Sequence, residues 1–198
     1  MFGHPVELAM FWGFTTIASS LQAGSVAIIN FARNFQSVPV SLIGITISTT
    51  VFPEMSKAIS NGSYKDFERS LRNSFILILG GSTLAALIIF FIREPLIRLV
   101  LGGGNFSENA IKDTATTLGY FTLAMPTESL RHLLARAFYA TKNTTIPVVI
   151  NLIGLAIAIG GGYMFVRWLD ILSIPIAFSV ASLVELILLV IFLPRRIK

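Results

Sequence analysis

Long apolar runs, separated by short polar or glycine- and proline-containing stretches, recur along the whole chain. A helix that crosses a hydrocarbon core of about 30 Å needs roughly 20 mostly apolar residues. The runs at residues 23–52, 75–92, 114–141, 146–166 and 171–193 meet or nearly meet that length, and the run at 6–21 is shorter. The pattern predicts an all-α fold, a polytopic membrane bundle of about six transmembrane helices.

The interruptions refine the picture. Pro39 lies inside the second run and predicts a kink. Residues 54–73 are charged and amphipathic and are predicted as a cytoplasmic helix, broken at Asn61-Gly62-Ser63. Ser63-x-x-Asp66 resembles a capping box. Glu94-Pro95 predicts a bend after the third span, and Gly102-Gly103-Gly104-Asn105 a turn. Ser107 is placed to cap the next helix, which contains Pro126. Thr145-Ile146-Pro147 and Ser173-Ile174-Pro175 open the last two spans, and Pro194 with the basic tail ends them.

Composition agrees with a lipid solvent. The chain has 198 residues, 54% hydrophobic and 13% charged, whereas a soluble domain carries roughly 25% charged residues. The net charge of +5 does not point to nucleic acid, because the basic residues gather in short loops. Lys57, Lys65, Arg69, Arg72, Arg136, Lys142, Arg195, Arg196 and Lys198 fall on one side, and Arg93, Arg98, Lys112 and Arg167 on the other. The positive-inside bias puts both termini in the cytoplasm, with a multi-pass segment in the cytoplasmic membrane. Cysteine is absent, so neither disulfides nor thiolate metal sites are expected.

Charges inside the apolar runs are the candidates for function, since each is costly in hydrocarbon. Arg33 lies about ten residues, or roughly 15 Å, into the second span. A guanidinium there suits a headgroup phosphate, which it can bind through two parallel hydrogen bonds. The plainer alternative is a structural arginine paired to a carboxylate or to helix carbonyls. Asn30, Asn34 and Ser37 complete a polar stripe with Arg33. Glu128, Arg131, His132 and Arg136 form a second polar face, where Glu128 can pair locally with Arg131 and His132. An internal ion pair that tethers the helix is the simpler reading, and a gate or a proton-linked switch at His132 the sharper one. Glu185, midway along the last span, needs a partner such as Arg33 or Arg131, or a coupling cation. Gly154, Ala158 and Gly162 form a small-residue ridge that permits close helix packing. No catalytic motif and no metal pattern stands out, so the chain is read as a non-enzyme that needs no cofactor and no metal.

Several stretches carry a family resemblance. Ala23-Gly24-Ser25-Val26, Asn30-Phe31-Ala32-Arg33, Pro39-Val40-Ser41-Leu42-Ile43-Gly44 and Phe52-Pro53-Glu54-Met55-Ser56 follow one another in order. Glu94-Pro95-Leu96-Ile97-Arg98-Leu99 leads to Gly104-Asn105-Phe106, and Leu134-Ala135-Arg136-Ala137-Phe138-Tyr139-Ala140 is followed by Thr145-Ile146-Pro147-Val148. Over residues 23–150 this ordered set resembles the MurJ/MviN lipid II flippases, within the multidrug/oligosaccharidyl-lipid/polysaccharide flippase superfamily.

The resemblance implies one lobe of a two-lobed flippase, the second, with the N-terminal lobe missing as partner. It implies alternating access for peptidoglycan synthesis, with lipid II or a related undecaprenyl-diphosphate-linked precursor bound by cavity arginines and the lipid tail left in the bilayer. Other readings from the same superfamily are a flippase for a different polyprenyl-linked saccharide and a cation-coupled multidrug exporter; a non-transporting scaffold is a third. Two departures stand out. Many members carry Asp then Arg where this chain has Arg33 then Asn34, a shift of about 100° around the helix. The slots that hold polar sodium ligands in some members here hold Ala158 and Gly162.

Overall fold

Inside a bilayer no water is available to backbone N–H and C=O groups, so spanning segments satisfy them internally as helix. The computed structural model describes residues 3–103 and 106–193. The glycine turn at Gly104-Asn105 and the basic tail from Pro194 onward lie outside the described residues.

Eight α-helices make up the described residues, and none of these residues is in a strand. They are α1 (Gly3–Ser19), α2 (Ser25–Pro39), α3 (Thr46–Ser60), α4 (Tyr64–Leu101), α5 (Glu108–Phe121), α6 (Met125–Ala140), α7 (Thr145–Leu169) and α8 (Ser173–Phe192). A π-helical stretch, Val40–Ile45, joins α2 to α3, and a 3-10 turn, Thr122–Ala124, joins α5 to α6. Six rods result: α1, α2–α3, α4, α5–α6, α7 and α8. By length and hydropathy, Ser25–Ser60, Tyr64–Leu101 and Thr145–Phe192 are long and apolar enough to cross a membrane. The last of these doubles back at Asp170–Leu172, where Asp170 takes a left-handed φ of 49°.

Glycine contacts set the helix directions. Gly154 of α7 lies against Glu185 of α8, and Gly161 against Ala177, so the two helices are antiparallel. Gly13 and Ile17 of α1 meet Ile159 and Gly162 of α7 in the same order, so α1 and α7 run parallel. The ridge at Gly154, Ala158 and Gly162 is buried and serves two neighbours, α8 and α1.

Two local features differ from the sequence reading. Residues 54–73 are not one helix: Glu54–Ser60 completes α3 and Tyr64–Asn73 begins α4, with the chain turning at Asn61-Gly62. Gly62 has a φ of 72°, a conformation glycine adopts without steric cost. The Ser63 hydroxyl bonds the Asp66 carboxylate at 2.5 Å and caps no backbone N–H, and the Ser63 N–H donates to the Ala58 carbonyl, so neither backbone bond of a capping box forms. Pro95 sits inside a continuous α4. Ser107 does cap α5, accepting a hydrogen bond from the Ala110 N–H at 3.2 Å. Next to it, Glu108 pairs with Arg98 at 2.8 Å, and that hydrogen bond and charge hold its carboxyl below the usual range.

Large apolar side chains face outward, among them Trp12, Phe91, Leu99 and Trp168. In water this surface would aggregate; against acyl chains it is the expected exterior. The interior holds two large apolar clusters and a small third one of Val40, Ala86 and Met125. Of the two large ones, one gathers Ile17, Ile97, Phe121 and Phe178, the other Met55, Phe67, Leu133 and Phe138. The rods α2–α3, α4, α5–α6, α7 and α8 all run from one cluster to the other, and on three of them an unusual residue stands at the crossing. Glu185 lies between Ala181 and Leu189 on α8, Gly154 between Ile150 and Ala158 on α7, and Glu128 between Ala124 and Leu130 on the α5–α6 rod. A polar layer therefore separates the clusters.

Candidate functional site

The polar layer is built from helix periodicity. Arg33 and Gln36 sit three residues apart on α2 and so share a face. On α6, Glu128, Arg131 and His132 share a face, with Arg136 one turn further on. The two faces meet. Arg33 Nη2 donates to Glu128 Oε1 at 2.9 Å and Arg33 Nη1 to Oε2 at 3.1 Å, a two-pronged pair between α2 and α6. Gln36 braces it: its Nε2 donates to Glu128 Oε2 at 2.6 Å and its Oε1 accepts from Arg33 Nη1. The guanidinium also stacks on Phe178 of α8, 4.2 Å from the ring centroid.

A second ion pair extends the layer. Arg131 Nη1 lies 2.9 Å from Glu185 Oε2 and 3.4 Å from Asn151 Oδ1 of α7. Its Nη2 reaches Glu128 at 3.9 Å, so one chain of charges links α2, α6, α8 and α7. Gly154 makes room for the Glu185 carboxylate, which lies where a Cβ would otherwise stand.

This layer opens on a cavity of about 300 Å³ between α1, α2, α6 and α7. Arg33, Arg131, His132 and Arg136 line it, together with Asn30 and Glu128. Glu7 and Asn151 also face it.

The structure thus brings together most of the residues the sequence singles out, with corrections. Asn34 is exposed and Ser37 donates its hydroxyl to the Asn34 carbonyl at 2.8 Å; neither lines the cavity. The residue that joins Arg33 in the polar layer is Gln36, three positions on and buried behind the cavity, because Asn34 is turned about 100° away. Glu128 does not pair locally with His132: its oxygens are held from α2, and His132 forms no hydrogen bond or ion pair among the described residues. Glu185 pairs with Arg131 and not with Arg33. Arg136 forms no ion pair among the described residues and lies 5.8 Å from the Phe52 ring. Sequence reasoning missed Gln36, Glu7, Asn151 and Phe178. The spacing of Gln36 from Arg33 was the available signal for the first. For Glu7 and Asn151 it was the presence of a polar residue in an apolar run.

Arg33 is both the plain structural arginine and a group that faces space. A guanidinium has five N–H donors. Two on Nη1 and one on Nη2 hold Gln36 and Glu128, which leaves Nε–H and the second Nη2–H, the two donors of its side edge. Its side chain is 28% exposed. Arg131 Nε is buried without a partner among the described residues. Arg33 thus keeps unused N–H donors on a fixed frame beside the cavity, an arrangement that suits phosphate oxygens, whereas the Arg131 Nε–H is shut off from it.

Known proteins share this architecture. The family described as lipid II flippase MurJ matches residues 8–198. A probable lipid II flippase MurJ of Bdellovibrio bacteriovorus is 28% identical over 172 residues, covering 87% of this chain and 33% of that protein. The lipid II flippase MurJ of Burkholderia cenocepacia is 27% identical over 186 residues, covering 92% of this chain and 35% of its own length. The chain spans about a third of the length of these curated relatives. Among solved structures, a lipid II flippase MurJ in an inward closed conformation superposes with a TM-score of 0.88 at 21% identity, over 96% of this chain and 40% of that one. A MATE protein in complex with MaL6 superposes with a TM-score of 0.86 at 14% identity, over 97% and 43%. At these identities the two structures establish the fold alone, an all-α helical bundle shared over nearly the whole chain. With the family match running over nearly the whole sequence, the chain belongs to the MurJ lipid II flippase family.

Proposed function

We propose that this chain is the second lobe of a transporter that moves lipid II, or a related undecaprenyl-diphosphate-linked precursor, across the cytoplasmic membrane for peptidoglycan synthesis. The cavity would close against the missing N-terminal lobe and open alternately to either side. Both termini of this segment would lie in the cytoplasm, as the distribution of Lys and Arg favours.

The observation that supports this reading is the free side edge of Arg33 in the cavity. Its end edge is fixed by Glu128 and Gln36, so the guanidinium is pre-oriented and the remaining donor pair matches two oxygens of one phosphate. A cation-coupled exporter would instead need a carboxylate free for the cation. Here Glu128 accepts from Arg33 and Gln36, and Glu185 pairs with Arg131.

The test uses the full-length protein. Hydrogen bonds to charged groups contribute about 1.5–3 kcal/mol each. Arg33→Lys keeps the charge beside Glu128 and loses the fork, and lipid II affinity should fall at least about tenfold. Unchanged affinity in a folded Arg33→Lys protein would remove Arg33 from the binding site. Rescue of a MurJ-depleted strain by the full-length gene, and failure of the Arg33→Ala form, would tie the site to lipid II; no rescue by the wild-type gene would favour another polyprenyl-linked cargo.

A further inference from the structure

One polar group that lines the cavity is left over once the ion pairs are assigned. His132 stands one turn beyond Glu128 on the same face of α6, about 6 Å further along the helix axis. It is half-buried and forms no hydrogen bond or ion pair among the described residues. An imidazole carries at least one N–H in either protonation state, so His132 brings an unused donor to the cavity.

The charges around it favour an anion. Those of Arg131, Arg136 and Arg33 all act at His132, and that of Glu128 opposes them. Glu128 is itself engaged by Arg33. Arg131 is engaged by Glu185 of α8, and the charge of Glu7, from α1, acts on it too. Arg136 keeps a charge that no ion pair offsets among the described residues. A negative group at His132 would therefore stand beside positive charge that is not already spent.

The free edge of Arg33 accounts for one phosphate of a diphosphate. The second phosphate shares a bridging oxygen with the first, so the group that binds it must be a near neighbour of Arg33. Arg131 is occupied by Glu185, Asn151 and Glu128, and its Nε–H is buried. Arg136 lies two turns, about 12 Å, from Glu128 along α6. Its guanidinium is turned to Phe52 and Tyr139, 5.8 and 6.0 Å from their rings. Asn30 and Asn151 are neutral amides that also line the cavity. The convergence of three arginine charges singles out His132. We infer that His132 donates to the second phosphate, and so distinguishes a diphosphate-linked cargo from a monophosphate-linked one. The inference rests on the reading of Arg33 as a phosphate site.

The test is native mass spectrometry of the full-length protein in detergent, titrated with undecaprenyl diphosphate and undecaprenyl monophosphate. Inorganic diphosphate serves as the soluble control. The wild type should retain the diphosphate lipid at least about tenfold more strongly, the worth of roughly one charge-assisted hydrogen bond. His132→Ala should lower affinity for the diphosphate lipid about tenfold and leave the monophosphate lipid unchanged. His132→Gln, which keeps an N–H donor, should retain most of the preference. Asn30→Ala and Asn151→Ala should keep the ratio, and Arg33→Lys should weaken both lipids. Equal binding of the two lipids by the wild type, a preference that survives His132→Ala, or an equal fall for both lipids in that variant would overturn the role of His132 and leave the Arg33 site standing. Loss of the preference in Asn30→Ala or Asn151→Ala in place of His132→Ala would do the same. Binding of neither lipid by the wild type would overturn the Arg33 reading as well. Tighter binding of inorganic diphosphate than of the diphosphate lipid would overturn the assignment to a lipid-borne group.

Discussion

Gly154→Ala tests the polar layer where it is tightest. A Cβ at this position would overlap the Glu185 carboxylate outright. Glu185 is 2% exposed and holds Arg131 at 2.9 Å, so the carboxylate has little room to withdraw. Two outcomes are open to the folded chain. The helices α7 and α8 separate slightly, at the cost of overpacking, about 1–3 kcal/mol. Or Glu185 swings away and leaves Arg131 buried with weaker partners, and breaking such a pair costs about 3–5 kcal/mol. The cheaper route sets the loss, so a destabilisation of about 1–3 kcal/mol is expected.

Stability is read from SDS-driven unfolding in mixed micelles, followed by circular dichroism, and a double-mutant cycle isolates the cause. Glu185→Ala alone should cost about 3–5 kcal/mol, since it strands Arg131. In that background the overlapping carboxylate is gone, and Gly154→Ala should add almost nothing. The coupling energy should then equal the whole cost of the single glycine substitution. Distant, independent sites add within about 0.3–0.5 kcal/mol. Additive losses, or a Gly154→Ala protein as stable as the parent, would refute the contact between glycine and carboxylate.

Two further substitutions probe the frame around the site. Gly44→Ala in the π-helical stretch would bring a Cβ to 2.7 Å from the Ser129 Cα of α6; backbone cannot yield as a side chain can, so a loss of about 1–3 kcal/mol or more is expected in the same micelle assay. Gly80→Ala is its control, because nothing lies within 4 Å of a Cβ there, and it should show no loss. Ser107→Ala removes the cap of α5 and should cost about 1 kcal/mol, with faster hydrogen exchange at the Ala110 amide and recovery in Ser107→Asp.

The rods of the fold were legible because hydropathy is summed over long windows, and lipid demands helix wherever the chain is apolar. The joints were less so. Asn61-Gly62 reads as a break, but whether the charged stretch around it is a separate helix depends on how far α3 and α4 project past the membrane, and periodicity does not carry that information. At the site, the face shared by Glu128 and Arg131 follows from spacing alone. The choice of Arg33 over His132 as partner of Glu128 does not, because it depends on the approach of α2 to α6. The same approach decides that Gln36, and not Asn34, meets Glu128. The small-residue ridge read as plain packing, whereas one of its glycines gives a carboxylate its place.

The position of the charges relative to the two large apolar clusters bears on why the layer exists. An ion pair buried between apolar residues is weak evidence for stability, since well-packed apolar substitutes often do as well or better. Two such pairs, Arg33–Glu128 and Arg131–Glu185, joined by a 3.9 Å contact, are therefore hard to account for by folding alone. Their placement does account for them. Each pair joins helices from different rods and fixes a guanidinium beside the cavity; in Arg33 the pairing leaves Nε–H unused, and in Arg131 the Nε–H is buried without a partner among the described residues. A carboxylate in this arrangement acts as the orienting group for an arginine, as an adjoining hydrogen bond orients a metal-binding histidine. The bracing by Gln36 and the stacking on Phe178 hold the same guanidinium from two further directions. A donor held this firmly loses little freedom when an anion arrives, and that saving in ordering is what the proposed phosphate-binding role would draw on.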